Sequence, residues 1–362
     1  MKTAVLHDWI LRFSIEEVIL QKILGELPQS SLFTLQVDDS TVLEKLNYIK
    51  LFKSKISFSE KTIWKNIHRF QQELEKFSLE EFEVIFTNSV GPLRWIKTQK
   101  RKELKTGPVQ IAYLHEPYPF IYLDWEEVQD RIQIGSFWSK FSQGDLEDFK
   151  KNDLAYAQGI DLALTNSLMM QSKIRNLYGI EAHVLHPPVN KSVFLPKEGA
   201  QKKHFLVCSY IEPGYNLEVL LNSFNYIKDK LVIIGGGSQK QKLELASRGN
   251  IHWIGEVDDF TRANYIAEAH AVINTDIEHY HHIVRESAAM GVPIICHKES
   301  AGFENIEEGV TGLSYTENTA DGLLPAIFKF KETNFNDEAL SQRSTETLAY
   351  SFSSNLHRLL EL

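Results

Sequence analysis

The stretch that most constrains this chain is A-V-I-N-T-D-I-E-H-Y-H-H-I-V-R-E-S-A-A-M-G-V-P, from Ala271 to Pro293. Its apolar start, Ala271-Val272-Ile273, reads as a buried strand. A loop carrying Glu278 follows, then a short helix opens near His282 and carries Glu286. Gly291 can end that helix in a left-handed cap, and Pro293 bars its continuation. Two carboxylates are thereby set eight residues apart, one in the loop and one on the helix. The backbone N–H groups of the first helical turn point back at the loop and offer a place for an anion. Carboxylates that grip hydroxyls, beside amides that grip phosphate, suit a sugar nucleotide. A surface βα unit with two solvated glutamates fits the same residues.

The βα rhythm recurs along the chain. Strands are expected at 3–6, 32–37, 82–87, 109–114 and 161–165, and helices at 14–24, 61–77 and 168–178. Val184 to Asn190, V-L-H-P-P-V-N, is stiff and turn-prone, and makes a linker. The rhythm then restarts: strands at 204–208, 231–234, 251–254 and 271–273 alternate with helices at 217–226, 238–247 and 260–268. Such alternation builds a parallel sheet covered on both faces. The fold class is α/β, with Rossmann-like domains at 1–185 and 186–335 facing a central cleft. Residues 336–362 are expected to form a helical segment packing back toward the first domain. Ligands bind beyond the carboxyl ends of parallel strands. The candidate groups therefore are His7-Asp8, Asn88-Ser89, His115, Asn166-Ser167, Gly235–Gly237, Gly255 and Glu278.

At 362 residues two domains are expected. A net charge of −9 argues against a nucleic-acid partner. Cys208 and Cys296 both sit in apolar runs and read as reduced thiols, which favours a cytoplasmic setting. No apolar run is long enough to span a bilayer. Residues 94–105, R-W-I-K-T-Q-K-R-K-E-L-K, form a basic amphipathic stretch. It is a candidate for peripheral contact with the inner face of the plasma membrane, or a solvated helix face.

Other motifs carry weaker signals. L-V-I-I-G-G-G-S lets the backbone approach a ligand at Gly235 and Gly237, or is a plain tight turn. The loop at Val257 can hold a base through main-chain bonds. His115, in Y-L-H-E-P-Y, follows a strand, where an imidazole can orient a reacting hydroxyl, or can be structural. His279, His281 and His282 match no standard zinc spacing, and no metal site is expected.

Together these pieces resemble a family-4 glycosyltransferase of the GT-B fold, in its bacterial mannosyltransferase-like branch. The resemblance rests on the opening H-D-W, on I-A-Y-L-H-E-P-Y and on T-N-S-L-M-M-Q-S-K-I-R-N-L-Y-G-I-E-A-H-V-L-H-P-P-V-N. It rests also on the pair Glu278 and Glu286, on G-V-T-G at 309–312, and on A-Y-S-F-S at 349–353. It implies retaining transfer of a hexose from a nucleotide diphosphate, GDP- or UDP-linked, to a polysaccharide or glycolipid acceptor without a required metal. Glu278 and His115 would then face the donor sugar. Glu286 would bind ribose hydroxyls, and the turn His281-His282-Ile283 would meet the diphosphate. The chain departs from the family at the phosphates. Tyr210 and Tyr215 stand where an arginine and a lysine would grip them, and Ile15 and Glu16 replace two glycines of the first loop. His281 stands at a further glycine. A non-catalytic subunit that binds glycan or a protein partner is the alternative.

Overall fold

Two parallel sheets carry the chain. The computed structural model describes residues 2–10, 15–37, 40–53, 79, 81–89, 91–95, 107–117, 122, 143–212, 215–277 and 279–360. The chain divides into one unit of Met1–Pro187 with Ser351–Leu362, and a second of Pro188–Tyr350.

The first unit holds β1 (Thr3–Leu6), β2 (Trp9–Ile10), β3 (Ser30–Thr34), β4 (Gln36–Val37), β5 (Lys50–Lys53), β6 (Val84–Thr87), β7 (Val109–Leu114), β8 (Leu162–Thr165) and β9 (Ala182–Val184). Seven of these form a sheet in the order β5-β3-β1-β6-β7-β8-β9. The strand expected over 32–37 breaks at Leu35. Its second part, β4, pairs instead with β2 in a separate two-stranded ribbon. Helix Leu168–Tyr178 has its caps written in the sequence. The Ser167 hydroxyl accepts the Met170 N–H, and Gly179 closes the helix at φ 67°. The helix expected over 61–77 lies outside the described residues.

Arg94 overturns part of the basic-stretch expectation. It is not a surface charge but a buried one, 1% exposed. Its Nη2 donates to the Ser89 carbonyl at 2.9 Å, and Nη1 lies 3.8 Å from Asp153 on helix Gln143–Ala157. Asp153 accepts hydroxyls from Tyr178 at 2.6 Å and Tyr122 at 3.0 Å. Residues 96–105 of that stretch lie outside the described residues. No helix among the described residues is long and apolar enough to cross a membrane.

The second unit has six parallel strands in the order β12-β11-β10-β13-β14-β15. They are β10 (His204–Cys208), β11 (Leu231–Ile234), β12 (Ile251–Gly255), β13 (Ala269–Asn274), β14 (Ile294–His297) and β15 (Gly312–Tyr315). Alternate residues feed opposite faces, as the two-residue period of a strand requires. Leu206, Val232, Val272 and Ile294 pack with helices Asp259–Ala267 and Ile283–Ala289. Phe205, Ile233, Ile273 and Ile295 pack with helices Leu217–Phe224 and Ala320–Glu332.

The C-terminal segment is two helices rather than one. Asp337–Ala349 belongs to the second unit, where it packs on Ile283–Ala289 and the Ser344 hydroxyl bonds the Ala289 carbonyl. Phe352–Leu360 belongs to the first unit and packs on helix Ile15–Glu26.

Asp153→Ala removes the carboxylate that pairs with buried Arg94 and is expected to destabilise the protein by about 3–5 kcal/mol. Urea unfolding checks this. The double variant Arg94→Met with Asp153→Ala should recover part of the loss. A double variant as unstable as the sum of its two single changes would refute the pairing.

Candidate functional site

In the second unit the strand-end loops converge after β10, β11, β12 and β13. The loops after β10 and β11 are tied by Ile211 N–H to the Gly236 carbonyl at 2.9 Å, and those after β11 and β12 by Gly235 N–H to the Gly255 carbonyl at 2.9 Å. Gly235 and Gly237 have φ of 145° and 154°. A Cβ at Gly235 would strike the Ser209 carbonyl oxygen, and one at Gly237 the Ile211 carbonyl. The absence of a side chain at these glycines lets a neighbouring loop approach. Val257 is half-buried against the core. Beside it Asp258 caps helix Asp259–Ala267 by accepting the Thr261 N–H at 2.7 Å.

After β13 the chain turns around Asp276, which is 2% exposed. Its carboxylate accepts the Nδ1–H of His279 at 3.0 Å and the Nε2–H of His281 at 2.7 Å. Burial alone would raise this carboxyl. The two imidazole hydrogen bonds outweigh it and hold the group far below the usual carboxylate range. Tyr215 stacks on His279, with ring centroids 4.3 Å apart and planes 10° apart, and meets His281 edge-on at 5.9 Å. Tyr210, exposed, meets Tyr215 edge-on at 5.8 Å. The three histidines divide between two carboxylates, for His282 lies 3.7 Å from Glu286. Glu278 lies outside the described residues.

Glu286 is 1% exposed, on the helix Ile283–Ala289. Both of its oxygens are taken by Arg262: Nε donates to Oε2 and Nη2 to Oε1, each at 2.7 Å. Arg262 also donates to Asp259 at 2.8 Å and lies over the Phe194 ring at 5.2 Å. Burial disfavours the arginine's charge, but Glu286 outweighs it and raises the Arg262 pKa. Sequence reasoning passed over Arg262. The available signal was an arginine next to Ala263, Ile266 and Ala267 on the inward face of its helix. Ile283 is core. His282 is pushed down to about 3 by burial first and then by Arg262 and Arg285, so it stays neutral.

In the first unit, strand ends β1, β6 and β7 bring His7, Asn88 and His115 together. The Asn88 amide donates to the Glu16 carbonyl at 3.0 Å, which turns its Oδ1 toward His115 Nε2 at 2.8 Å. Nε2 therefore carries the proton, and Nδ1 is the acceptor. Burial, then the charges of His7 and Arg94, lower the His115 pKa to about 3. His7 goes the other way. Burial lowers it, but Glu17, 3.3 Å from its Nε2, raises it further. Asp8 builds the fold: its carboxylate accepts the Gly91 and Leu93 N–H groups at 2.7 and 2.8 Å and the Ser89 hydroxyl. Ile15 and Glu16 form the first turn of helix Ile15–Glu26.

Residues 202–331 match the family model described as glycosyl transferases group 1. No curated protein matches the sequence. Among solved structures, sucrose-phosphate synthase from Thermosynechococcus elongatus is similar with a TM-score of 0.73 at 14% identity, covering 99% of this chain and 98% of that one. Anabaena HepE, solved with UDP, is similar at 0.69 and 14%, covering 100% of both chains. A glycosyltransferase from Rickettsia africae is similar at 0.65 and 15%, covering 99% and 98%. These neighbours are GT-B glycosyltransferases, and the two Rossmann-like units described above share their fold.

The neutral histidines set a pH dependence. Burial and positive neighbours hold each at about 3, against the ordinary imidazole value of 6.5. On acidification below the unfolded value the unfolded chain takes up protons first. Stability is then lost between the two pKa values, by up to about 1.4 kcal/mol per pH unit for each group. Denaturant unfolding from pH 7 to 4 should show this decline, and His115→Asn should flatten it. An unchanged slope in that variant would mean that His115 titrates near its ordinary value.

Proposed function

We propose that this protein is a retaining glycosyltransferase of the family-4 type, moving a hexose from a nucleoside diphosphate sugar to a glycan or glycolipid acceptor. The observation that carries this reading is the match of residues 202–331 to group 1 glycosyl transferases, on a unit in which Glu286 is buried on the helix after β13. In this reading Glu278 faces the donor sugar near its reacting carbon. Glu286 takes ribose hydroxyls on the lone pairs that Arg262 leaves open, since a carboxylate offers about four acceptor positions. Arg262 then acts as the clamp that keeps this carboxylate aimed. His115, neutral and with Nδ1 as acceptor, takes a hydrogen bond from a sugar hydroxyl. HepE was solved with UDP, and starch synthase IV from Arabidopsis thaliana with ADP and acarbose, so donors of this class are the first to try. GDP- and UDP-hexoses are the donors proposed, without a required metal. The work would be done at the inner membrane face, on a surface polysaccharide or its lipid-linked precursor.

One observation favours a second reading, a non-catalytic glycosyltransferase-like subunit. Tyr210 and Tyr215 occupy the positions where the resemblance implies cations, and they form a packed stack with His279 and His281. Tyrosine hydroxyls carry no charge at neutral pH.

Calorimetric titration with GDP, UDP and ADP and their hexose conjugates, with and without magnesium, separates the two. Micromolar binding of one nucleotide sugar is expected, with transfer or slow hydrolysis abolished in Glu278→Ala. No binding across the panel would sink the transferase reading in favour of the subunit.

A further inference from the structure

Among the described residues, the end of β13 and the segment after it hold buried donors that make no hydrogen bond. Three such donors are Asn274 Nδ2, Tyr280 Oη and Arg285 Nε. All three lie within twelve residues, at the carboxyl end of a central strand. Arg285 is the most telling. It is 6% exposed, and no described carboxylate lies within ion-pair reach of its guanidinium. Its packing partner is the Tyr350 ring, 4.9 Å from the guanidinium carbon. The other buried arginine among the described residues, Arg94, has Asp153 at 3.8 Å, and the half-buried Arg262 has Glu286 at 2.7 Å. A buried ion with no partner in ion-pair reach carries a free-energy penalty that an incoming anion would relieve. Burial raises the Tyr280 pKa, and Arg285 on one side and Glu304 and Glu286 on the other act on it, so Tyr280 and Arg285 share one neighbourhood with two carboxylates that stand outside ion-pair reach of the guanidinium. Asn274 Nδ2 borders the same loop, 3.3 Å from where a Cβ on Gly302 would stand.

We propose that Arg285, with the Tyr280 hydroxyl and the Asn274 amide beside it, forms an oxyanion site that grips the diphosphate of the donor; this rests on the nucleotide-sugar reading above. Arg285 then supplies the positive charge that Tyr210 and Tyr215 do not. An arginine suits this role because its planar fork matches phosphoryl oxygens two at a time and it stays charged when buried. The stack on Tyr350 holds the guanidinium plane in place without neutralising it. A buried guanidinium outside ion-pair reach of any described carboxylate is costly to the protein, and that gives the proposal a signature that a purely structural arginine lacks.

The test uses the full chain with Arg285→Met and Arg285→Lys, titrated with UDP, GDP and ADP, the matching nucleosides, and inorganic pyrophosphate. Arg285→Met is expected to weaken the preferred nucleoside diphosphate by about tenfold to a hundredfold, to leave nucleoside affinity unchanged, and to raise the melting temperature of the free protein. Arg285→Lys should restore part of the affinity. Unchanged diphosphate affinity in the Met variant, or an equal loss for nucleoside and diphosphate, would overturn the site. A fall in melting temperature with nucleotide affinity kept would assign Arg285 to packing on Tyr350 instead. If the wild-type chain binds no nucleotide at all, the nucleotide-sugar reading fails by itself and pyrophosphate decides the rest. Pyrophosphate bound by wild type and lost in Arg285→Met keeps the oxyanion site, and no pyrophosphate binding removes it.

Discussion

A carboxylate taken out of water needs a cation of its own, and Glu286 has Arg262. The second unit is arranged around that contact. It joins helix Asp259–Ala267 to helix Ile283–Ala289 across one face of the sheet, with two parallel hydrogen bonds of 2.7 Å. Removing either partner would strand a buried charge, at a cost of about 3–5 kcal/mol. The two helices are therefore held in one register. The loop between β13 and Ile283 hangs between two fixed points, Asp276 at its start and Glu286 just past its end. Its polar side chains are sorted by that arrangement. His279 and His281 go to Asp276, His282 is kept neutral beside two arginines, and Arg285 is left facing Tyr350.

The first unit solves the same problem at its own strand ends. Asp8 collects two backbone N–H groups and a hydroxyl, which shapes the loop after β6, and Arg94 reaches from that loop to Asp153. Between these charges stand two histidines with opposite tendencies. His7 is drawn toward the protonated form by Glu17, whereas His115 is held neutral by burial and by its positive neighbours. A neutral imidazole in a dry, electropositive setting is a hydrogen-bonding group of fixed polarity.

Strands and helices were legible in the sequence wherever an apolar run met a capping signal. Ser167 and Gly179 bound one helix, and Gly291 ends another with φ 66°. The break at Leu35 was not legible, because the unbroken run L-F-T-L-Q-V does not show that the chain changes sheet partner midway. The split of the terminal helix had a signal that was missed. Ser351 accepts the Ser354 N–H and starts a new helix directly after Tyr350. Within the site, the residue types at strand ends could be read, but their partners could not. Arg262 and Glu286 are 24 residues apart, and Arg94 and Asp153 are 59 apart. Local periodicity carries no information about pairings at that distance. The glycines after β11 were read for what they permit, and only the structure shows that a neighbouring backbone uses the space.

The route of the chain has a further consequence. Residues 188–350 make up one uninterrupted unit, whereas the other is assembled from both ends of the polypeptide. Helix Phe352–Leu360 covers helix Ile15–Glu26, and Phe352 lies 6.2 Å from the Tyr113 ring. During synthesis the first unit must wait for residues 351–360, which are made only after the second unit already has all its strands. Order of synthesis and order of completion are reversed. Helix Ile15–Glu26 must therefore keep bare, until residues 352–360 have been made, the face that they cover.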